Sequence, residues 1–319
     1  MTNQSLQSIK TTEITMRSNH DGLDLGATII APSHPQAILQ FVHGMTEHRR
    51  RYYPVMQFFA ERGFAAIIHD HRGHGDSRRT DEDYGYFYRD GTNGMIDDAH
   101  QVTEYIKARY PDLPLTLLGH SMGSMVVRCY LKKYDAELNG LIVCGSPSKQ
   151  SAAHLALILA KLLRGIQGER HRSKLLNRLA FQPHNKKFKN EGLANAWLVS
   201  DPEVVKAYND DPASGFIFTL NGFENLFRLM LETYSKQGWQ LQNPDLPIFF
   251  IAGEDDPCII NPKAFYKAVD FLRSRGYKDI KSKLYPGMRH EILNEKAKLQ
   301  VWQDIATWIQ QNNTGLHVR

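Results

Sequence analysis

The strongest constraint on this chain is a rhythm. Four short apolar runs at 37–42 (AILQFV), 65–70 (AAIIHD), 114–119 (PLTLLG) and 140–145 (GLIVCG) are rich in β-branched and aliphatic residues without polar alternation. Runs of that kind are buried on both faces, as in a parallel sheet. Between them lie 54–63, 93–110 and 122–134, each with apolar positions at helical spacing and a Gly or Pro near an end. The order β-α-β-α-β-α-β places helices on both faces of a mostly parallel sheet, an α/β architecture. Ahead of it, 13–18 and 23–31 flank Asp21-Gly22 and read as an antiparallel pair. The rhythm stops after Ser146-Pro147 and resumes with a strand at 246–253, a helix at 261–276, a strand at 280–287 and a closing helix at 298–311. We therefore expect one core built from 1–146 and 244–319, interrupted by a mostly helical cap at 147–243.

Charge follows the same partition. The cap holds 13 Lys+Arg against 8 Asp+Glu, and the remainder 26 against 26, so the whole-chain excess of +5 lies in the cap. Ten of its basic residues fall within 149–189, where Glu169 alone is acidic, next to the apolar stretch 155–163. An apolar surface bordered by cations is suited to peripheral contact with an anionic membrane; the plainer alternative is a core helix followed by a solvated basic turn. The basic stretch has few aromatics for base stacking, so no nucleic-acid partner is expected. With a mean hydropathy of −0.44 and no run near the ~18 apolar residues of a spanning helix, a polytopic membrane protein is excluded. The polar start MTNQSLQSIK lacks a signal-peptide apolar region, and three cysteines are an odd number, so cytoplasmic residence with reduced thiols is expected. Composition does not indicate an oligomeric state.

Gly119-His120-Ser121-Met122-Gly123 fits G-x-S-x-G, and its position between a buried strand and a helix is the setting of a nucleophile elbow. A serine hydroxyl needs a base and a carboxylate, which in such a sheet follow in the order Asp, His. Asp255 and Asp256 both follow the strand at 246–253, and His290 follows the strand at 280–287. Oxyanion donors are expected from the Met122 amide at the helix start and from the Met45 amide in the loop after 37–42, with His43 and Gly44 ordering that loop. In the cap, Phe223, Phe227 and Met230, with Leu155 and Leu159, are candidates for lining an acyl tunnel; cap core is the alternative for each. The run His69-Asp70-His71-Arg72-Gly73-His74 approximates a zinc-binding H-x-H-x-D-H, but Gly73 stands where an aspartate is required, so neither metal nor organic cofactor is expected.

Together, His43-Gly-Met-Thr-Glu47-His48 with Arg51-Tyr52, Asp70-His71-Arg72-Gly73-His74-Gly75-Asp76-Ser77, the elbow, and Tyr285-Pro-Gly-Met-Arg289-His290-Glu291 resemble the α/β-hydrolase superfamily, in its monoacylglycerol lipase and lysophospholipase branch. The resemblance implies an eight-stranded, mostly parallel sheet with a mobile cap over a tunnel for one acyl chain. It favours Asp256 over Asp255 as the acid and implies a serine hydrolase of single-chain lipid esters. The consecutive arginines Arg49, Arg50 and Arg51 and the basic part of the cap depart from the branch. Two alternatives remain: a broad-specificity carboxylesterase or thioesterase, and a hydrolase fold kept as a silent ligand receptor. Epoxide hydrolases and haloalkane dehalogenases carry an acidic nucleophile where this chain has Ser121.

Overall fold

A computed structural model describes residues 8–313. Among them, eight strands form one sheet: β1 (Ile9–Arg17), β2 (Asp24–Pro32), β3 (Ala37–Val42), β4 (Phe64–His69), β5 (Leu115–His120), β6 (Gly140–Cys144), β7 (Ile248–Gly253) and β8 (Ile280–Tyr285). Their spatial order is β1-β2-β4-β3-β5-β6-β7-β8. β2 pairs antiparallel with both β1 and β4, and the strands from β4 through β8 run parallel. The central strands are buried along their whole length, which is why they carry no polar alternation.

Helices cover both faces. On one lie α1 (Tyr53–Ala60) and, from the far end of the chain, α9 (Lys298–Asn312), where Met56, Phe59, Trp302 and Ile305 meet Leu39, Phe41 and Ile68. On the other lie α2 (Gly91–Arg109) and α3 (Met122–Tyr134), with Val102, Ile106, Val126 and Tyr130 against Ile38, Leu117 and Val143.

Between β6 and β7 the chain forms α4 (Ala153–Gln167), α5 (Lys174–Phe181), α6 (Pro202–Asp210) and α7 (Leu220–Thr233). α7 packs on both α4 and α3, so it couples this segment to the core. Its buried Asn221 and Asn225 accept the Phe87 amide in the loop ahead of α2 and the Thr92 amide in the first turn of α2. α8 (Pro262–Arg273) then separates β7 from β8.

Candidate active site

The C-terminal ends of β3, β5, β7 and β8 converge, and each supplies a loop. Ser121, between β5 and α3, has φ 52° and ψ −117°, a left-handed conformation that costs a non-glycine residue about 1–3 kcal/mol. The surroundings hold it there: the Ser121 amide donates to the Cys144 carbonyl (3.0 Å). The flanking glycines let the chain pass. A Cβ on Gly123 would lie 2.0 Å from the Val42 carbonyl oxygen, and one on Gly119 would lie 2.4 Å from that of Gly123.

His290 Nε2 lies 2.8 Å from Ser121 Oγ, and its Nδ1 lies 2.9 Å from Asp256 Oδ2. Asp256 Oδ1 accepts the Cys258 amide (2.8 Å), fixing the carboxylate plane. All three side chains are buried. Asp255, the neighbouring carboxylate, instead turns outward to an ion pair with Lys187. The two loops abut because Gly253 has no side chain: a Cβ there would lie 2.2 Å from the Met288 and Arg289 carbonyls. A serine hydroxyl held on an imidazole that is itself held on a carboxylate can lose its proton to that imidazole during attack on a carbonyl.

Met45 and Met122 both line the cavity with Ser121. Met122 heads α3, where first-turn amides have no intrahelical acceptor, and no hydrogen bond from the Met45 amide is present among the described residues. Gly44 packs against the nucleophile, since a Cβ on it would lie 3.1 Å from Ser121 Cβ. His43 orders this loop: its Nε2 accepts the His71 amide (2.9 Å), leaving Nδ1–H to donate to the Gly44 carbonyl (2.7 Å). His120, within the elbow, has Nδ1 3.4 Å from Glu47 Oε1. Burial lowers its pKa, but the Glu47 and Glu291 carboxylates and the His290 carbonyl together outweigh burial and raise it.

Behind these loops lies a charge network. Glu47 Oε1 accepts the Gly44 amide (2.6 Å) and the Tyr52 hydroxyl (2.9 Å), while Glu47 Oε2 faces Arg51 (2.6 Å). Arg51 also clasps Glu291 through both terminal nitrogens, at 2.9 and 2.6 Å. Burial opposes both carboxylate charges, yet their cationic neighbours win and hold the Glu47 and Glu291 pKa values below the usual carboxylate range. The guanidinium thus ties the loop carrying Met45 to the loop carrying His290. The other two arginines of the run do different work. Arg49 is buried on Asp70, and Arg50 reaches Asp76 at the surface.

A cavity of about 810 Å³ opens from Ser121 into the segment between β6 and β7. Leu155, Leu159, Phe227 and Met230 line it; Phe223 does not. Phe223 is one helical turn before Phe227, fully buried, and stacks between Phe218 and Phe227, so it belongs to the core beneath the cavity. Further lining comes from Leu176, Leu179, Phe181 and Trp197, which helical periodicity could not single out from any other apolar cap residue. Trp197, whose ring lies 5.0 Å from that of His290, sits in irregular chain with no local pattern at all. Ser121 also lines a smaller recess of about 90 Å³, which shares Met45, Phe181 and Trp197 with the large cavity and adds Thr46, Glu47, Asn177, Asn195, Tyr208, Phe216 and His290.

The histidines at 69, 71 and 74 do not gather their nitrogens on a common point. The His71 and His74 rings pack edge-on, 6.1 Å apart, and the His74 ring is boxed by Phe87, Phe216 and Phe218. Among the described residues, the group whose ligand atoms lie within 4.8 Å of one another is Asp256, Cys258 and His290. Its histidine and aspartate already face each other, and the imidazole faces Ser121 as well.

Fold and site define an α/β-hydrolase with a serine, histidine and aspartate at its strand ends. Residues 33–297 match the family described as serine aminopeptidase, S33, and the chain belongs to that family. Within it the chain falls in the monoacylglycerol lipase-like branch and is a carboxylic ester hydrolase. It is 27% identical over 302 residues to the monoacylglycerol lipase of Mycolicibacterium smegmatis, covering 92% of this chain and 97% of that one. It is 25% identical over 316 residues to the monoglyceride lipase of Homo sapiens, covering 96% and 93%. The crystal structure of a thermostable carboxyl esterase from Bacillus coagulans in complex with glycerol superposes with a TM-score of 0.86 at 28% identity, covering 95% of this chain and 99% of that one.

Proposed function

We propose that this chain hydrolyses esters of single-chain lipids through an acyl-enzyme on Ser121, with monoacylglycerol favoured over lysophospholipid. One observation carries the reading: the serine lines both a large, mostly apolar cavity and a small recess of mixed lining that includes hydroxyl and amide groups. An ester whose acyl chain fills the 810 Å³ cavity presents its alcohol to the 90 Å³ recess. That recess offers hydroxyl and amide partners suited to a glycerol, whereas a phosphocholine headgroup is bulkier and would bring a phosphate against Glu47 and Glu291. The relatives named above as monoacylglycerol and monoglyceride lipases point the same way.

In this mechanism His290 takes the Ser121 proton as Oγ attacks the ester carbonyl, and Asp256 holds the productive imidazole tautomer and stabilises the cation. The Met45 and Met122 amides receive the developing oxyanion. His290 then returns the proton to the departing alcohol, and water repeats the sequence to free the fatty acid. The test is a product assay comparing monoacylglycerol, lysophosphatidylcholine and short nitrophenyl esters, with fluorophosphonate labelling and Ser121→Ala alongside. Ser121→Ala should fold normally and lose turnover; retained esterase activity refutes the serine role, and faster release from lysophosphatidylcholine refutes the headgroup assignment. Preference for the shortest esters would favour the broad-specificity esterase reading, and no adduct at Ser121 the receptor reading.

The cap supports a second part of the proposal, peripheral docking on an anionic membrane from the cytoplasmic side. Leu155, Ile158, Leu162 and Ile166 form an exposed stripe along α4, with Ile166 81% exposed, and α5 adds Leu175 and Leu179. Leu155 and Leu179 also line the large cavity, so the exposed apolar surface is continuous with its mouth. Lys161, Arg164, Lys174 and Arg178 accompany the stripe. Among the described residues no helix is long and apolar enough to cross a membrane.

A further inference from the structure

The residues on either side of the catalytic base hold one stretch of the cap segment. Arg289 Nη1 donates to the Ala196 carbonyl (2.6 Å) and the Val199 carbonyl (3.1 Å), and the Glu291 amide donates to the Leu198 carbonyl (2.8 Å). Glu295 Oε1 accepts both the Arg289 amide (2.8 Å) and the Ser200 amide (3.0 Å), which ties the same two loops again. The Arg289 guanidinium is itself anchored by Glu191 (3.0 Å) and lies 4.0 Å from the centre of the Phe188 ring. From within the cap, Asn185 Oδ1 accepts the Trp197 amide (3.2 Å). Residues 192–200 form neither helix nor strand, so these bonds stand in for the ladder that regular structure would have supplied.

What this clasp presents to the site is the Trp197 ring. It lies 5.0 Å from the His290 ring and 4.9 Å from the His184 ring, and His184 meets Phe181 at the end of α5 at 5.9 Å. Ring contacts therefore run without a break from the cap to the base. Trp197, Met45 and Phe181 line both the 810 Å³ cavity and the 90 Å³ recess, so the two spaces meet along these three side chains. Met45 ends in a flexible thioether. Trp197 is the largest of the three, and its backbone is held by the loop that carries His290.

We propose that Trp197, positioned by Arg289, is the residue that makes this enzyme select esters with one acyl chain over esters with two. The inference deepens the reading given above and rests on it. With the indole in place, an ester carbonyl at Ser121 has its acyl chain in the large cavity and its alcohol in the recess. A diacylglycerol would then have to fit a second acyl chain into the 90 Å³ on the alcohol side. Without the indole the two spaces merge, and the second chain can fold back into the large cavity beside the first. Arg289 touches no substrate; it acts by fixing the carbonyls on both sides of Trp197.

Comparison of kcat/KM on monooctanoylglycerol and dioctanoylglycerol tests the proposal. In Trp197→Ala the diacyl-to-monoacyl ratio should rise about tenfold or more, a discrimination that a few apolar contacts commonly carry. Trp197→Phe keeps a ring against His290 and should restore most of the parent's ratio. Arg289→Met should move the ratio in the same direction but less, and adding it to Trp197→Ala should change the ratio no further, because the arginine acts through the indole. A fall in rate on both glycerides with an unchanged ratio gives Trp197 a purely structural role and overturns the proposal; additive shifts overturn the part assigned to Arg289. Should alanine leave the chain unfolded, Trp197→Leu keeps an apolar side chain in the turn and carries the same expectation. Failure of the lipase reading looks different: the parent then leaves both glycerides intact. The wall is still read from methyl butyrate and cyclohexyl butyrate, which share an acyl group and differ in the bulk of the alcohol. Trp197→Ala should favour the cyclohexyl ester relative to the parent, and an unmoved ratio overturns the proposal there too.

Discussion

Four histidines are buried beside the oxyanion loop, and they make the fold sensitive to acid. His43, His69, His71 and His74 are fully enclosed. Burial is the main cause that lowers the pKa of each; mutual repulsion among the rings adds to it for His43 and His71, and the Arg72 charge for His69. For His69 and His74 the value falls from 6.5 to about 4. Between those values the unfolded chain binds protons that the folded chain refuses. Their contribution is therefore fully present above pH 6.5 and is lost as pH falls toward 4. Going from pH 7 to pH 5, linkage gives about 2 kcal/mol lost for each of His69 and His74 at 298 K, and His43 and His71 act in the same direction. His120 works in the opposite direction, because its pKa is raised. A difference measurement isolates one group. His69 has neither ring nitrogen hydrogen-bonded, so His69→Leu removes its titration without breaking a bond. Urea denaturation at pH 7 and pH 5 should show the variant losing about 2 kcal/mol less than the parent over that interval. Equal losses in the two proteins would show that His69 titrates normally in the fold and would refute the reasoning.

Other consequences follow from the site. Arg51→Met leaves Glu47 and Glu291 buried without their shared cation, and urea midpoints at pH 7 should report about 3–5 kcal/mol of destabilisation; a change below about 1 kcal/mol would mean that the network is solvated. Met230→Trp shortens the cavity from Ser121 and should move the preferred acyl chain to shorter lengths in a chain-length series, while an unchanged profile places the chain elsewhere. Leu162→Glu with Ile166→Glu should reduce sedimentation with anionic liposomes several-fold and leave hydrolysis of a water-soluble ester unchanged. Added salt should weaken binding of the parent as well, and equal affinity for neutral liposomes would remove the electrostatic part.

How far the sequence reaches depends on whether a signal is local. The eight strands, their flanking helices and the elbow at Ser121 were legible because burial on both faces and helical periodicity are written within windows of six to eighteen residues. His290 was legible for the same reason, as the histidine directly after the last strand. Ser121, Asp256 and His290 lie at strand ends that the sheet must bring to one rim, so their convergence followed from the α/β architecture itself.

Tertiary structure alone decided the rest. It placed β4 between β2 and β3, turned Asp255 out to Lys187 while Asp256 met His290, and put Phe223 into the core instead of the cavity. It joined Arg51 to Glu291 across 240 residues of chain. The entropic cost of closing a loop grows only with the logarithm of its length, so separation along the chain sets almost no limit on which residues meet. Periodicity states that a side chain is buried; only the packed molecule determines what it is buried against.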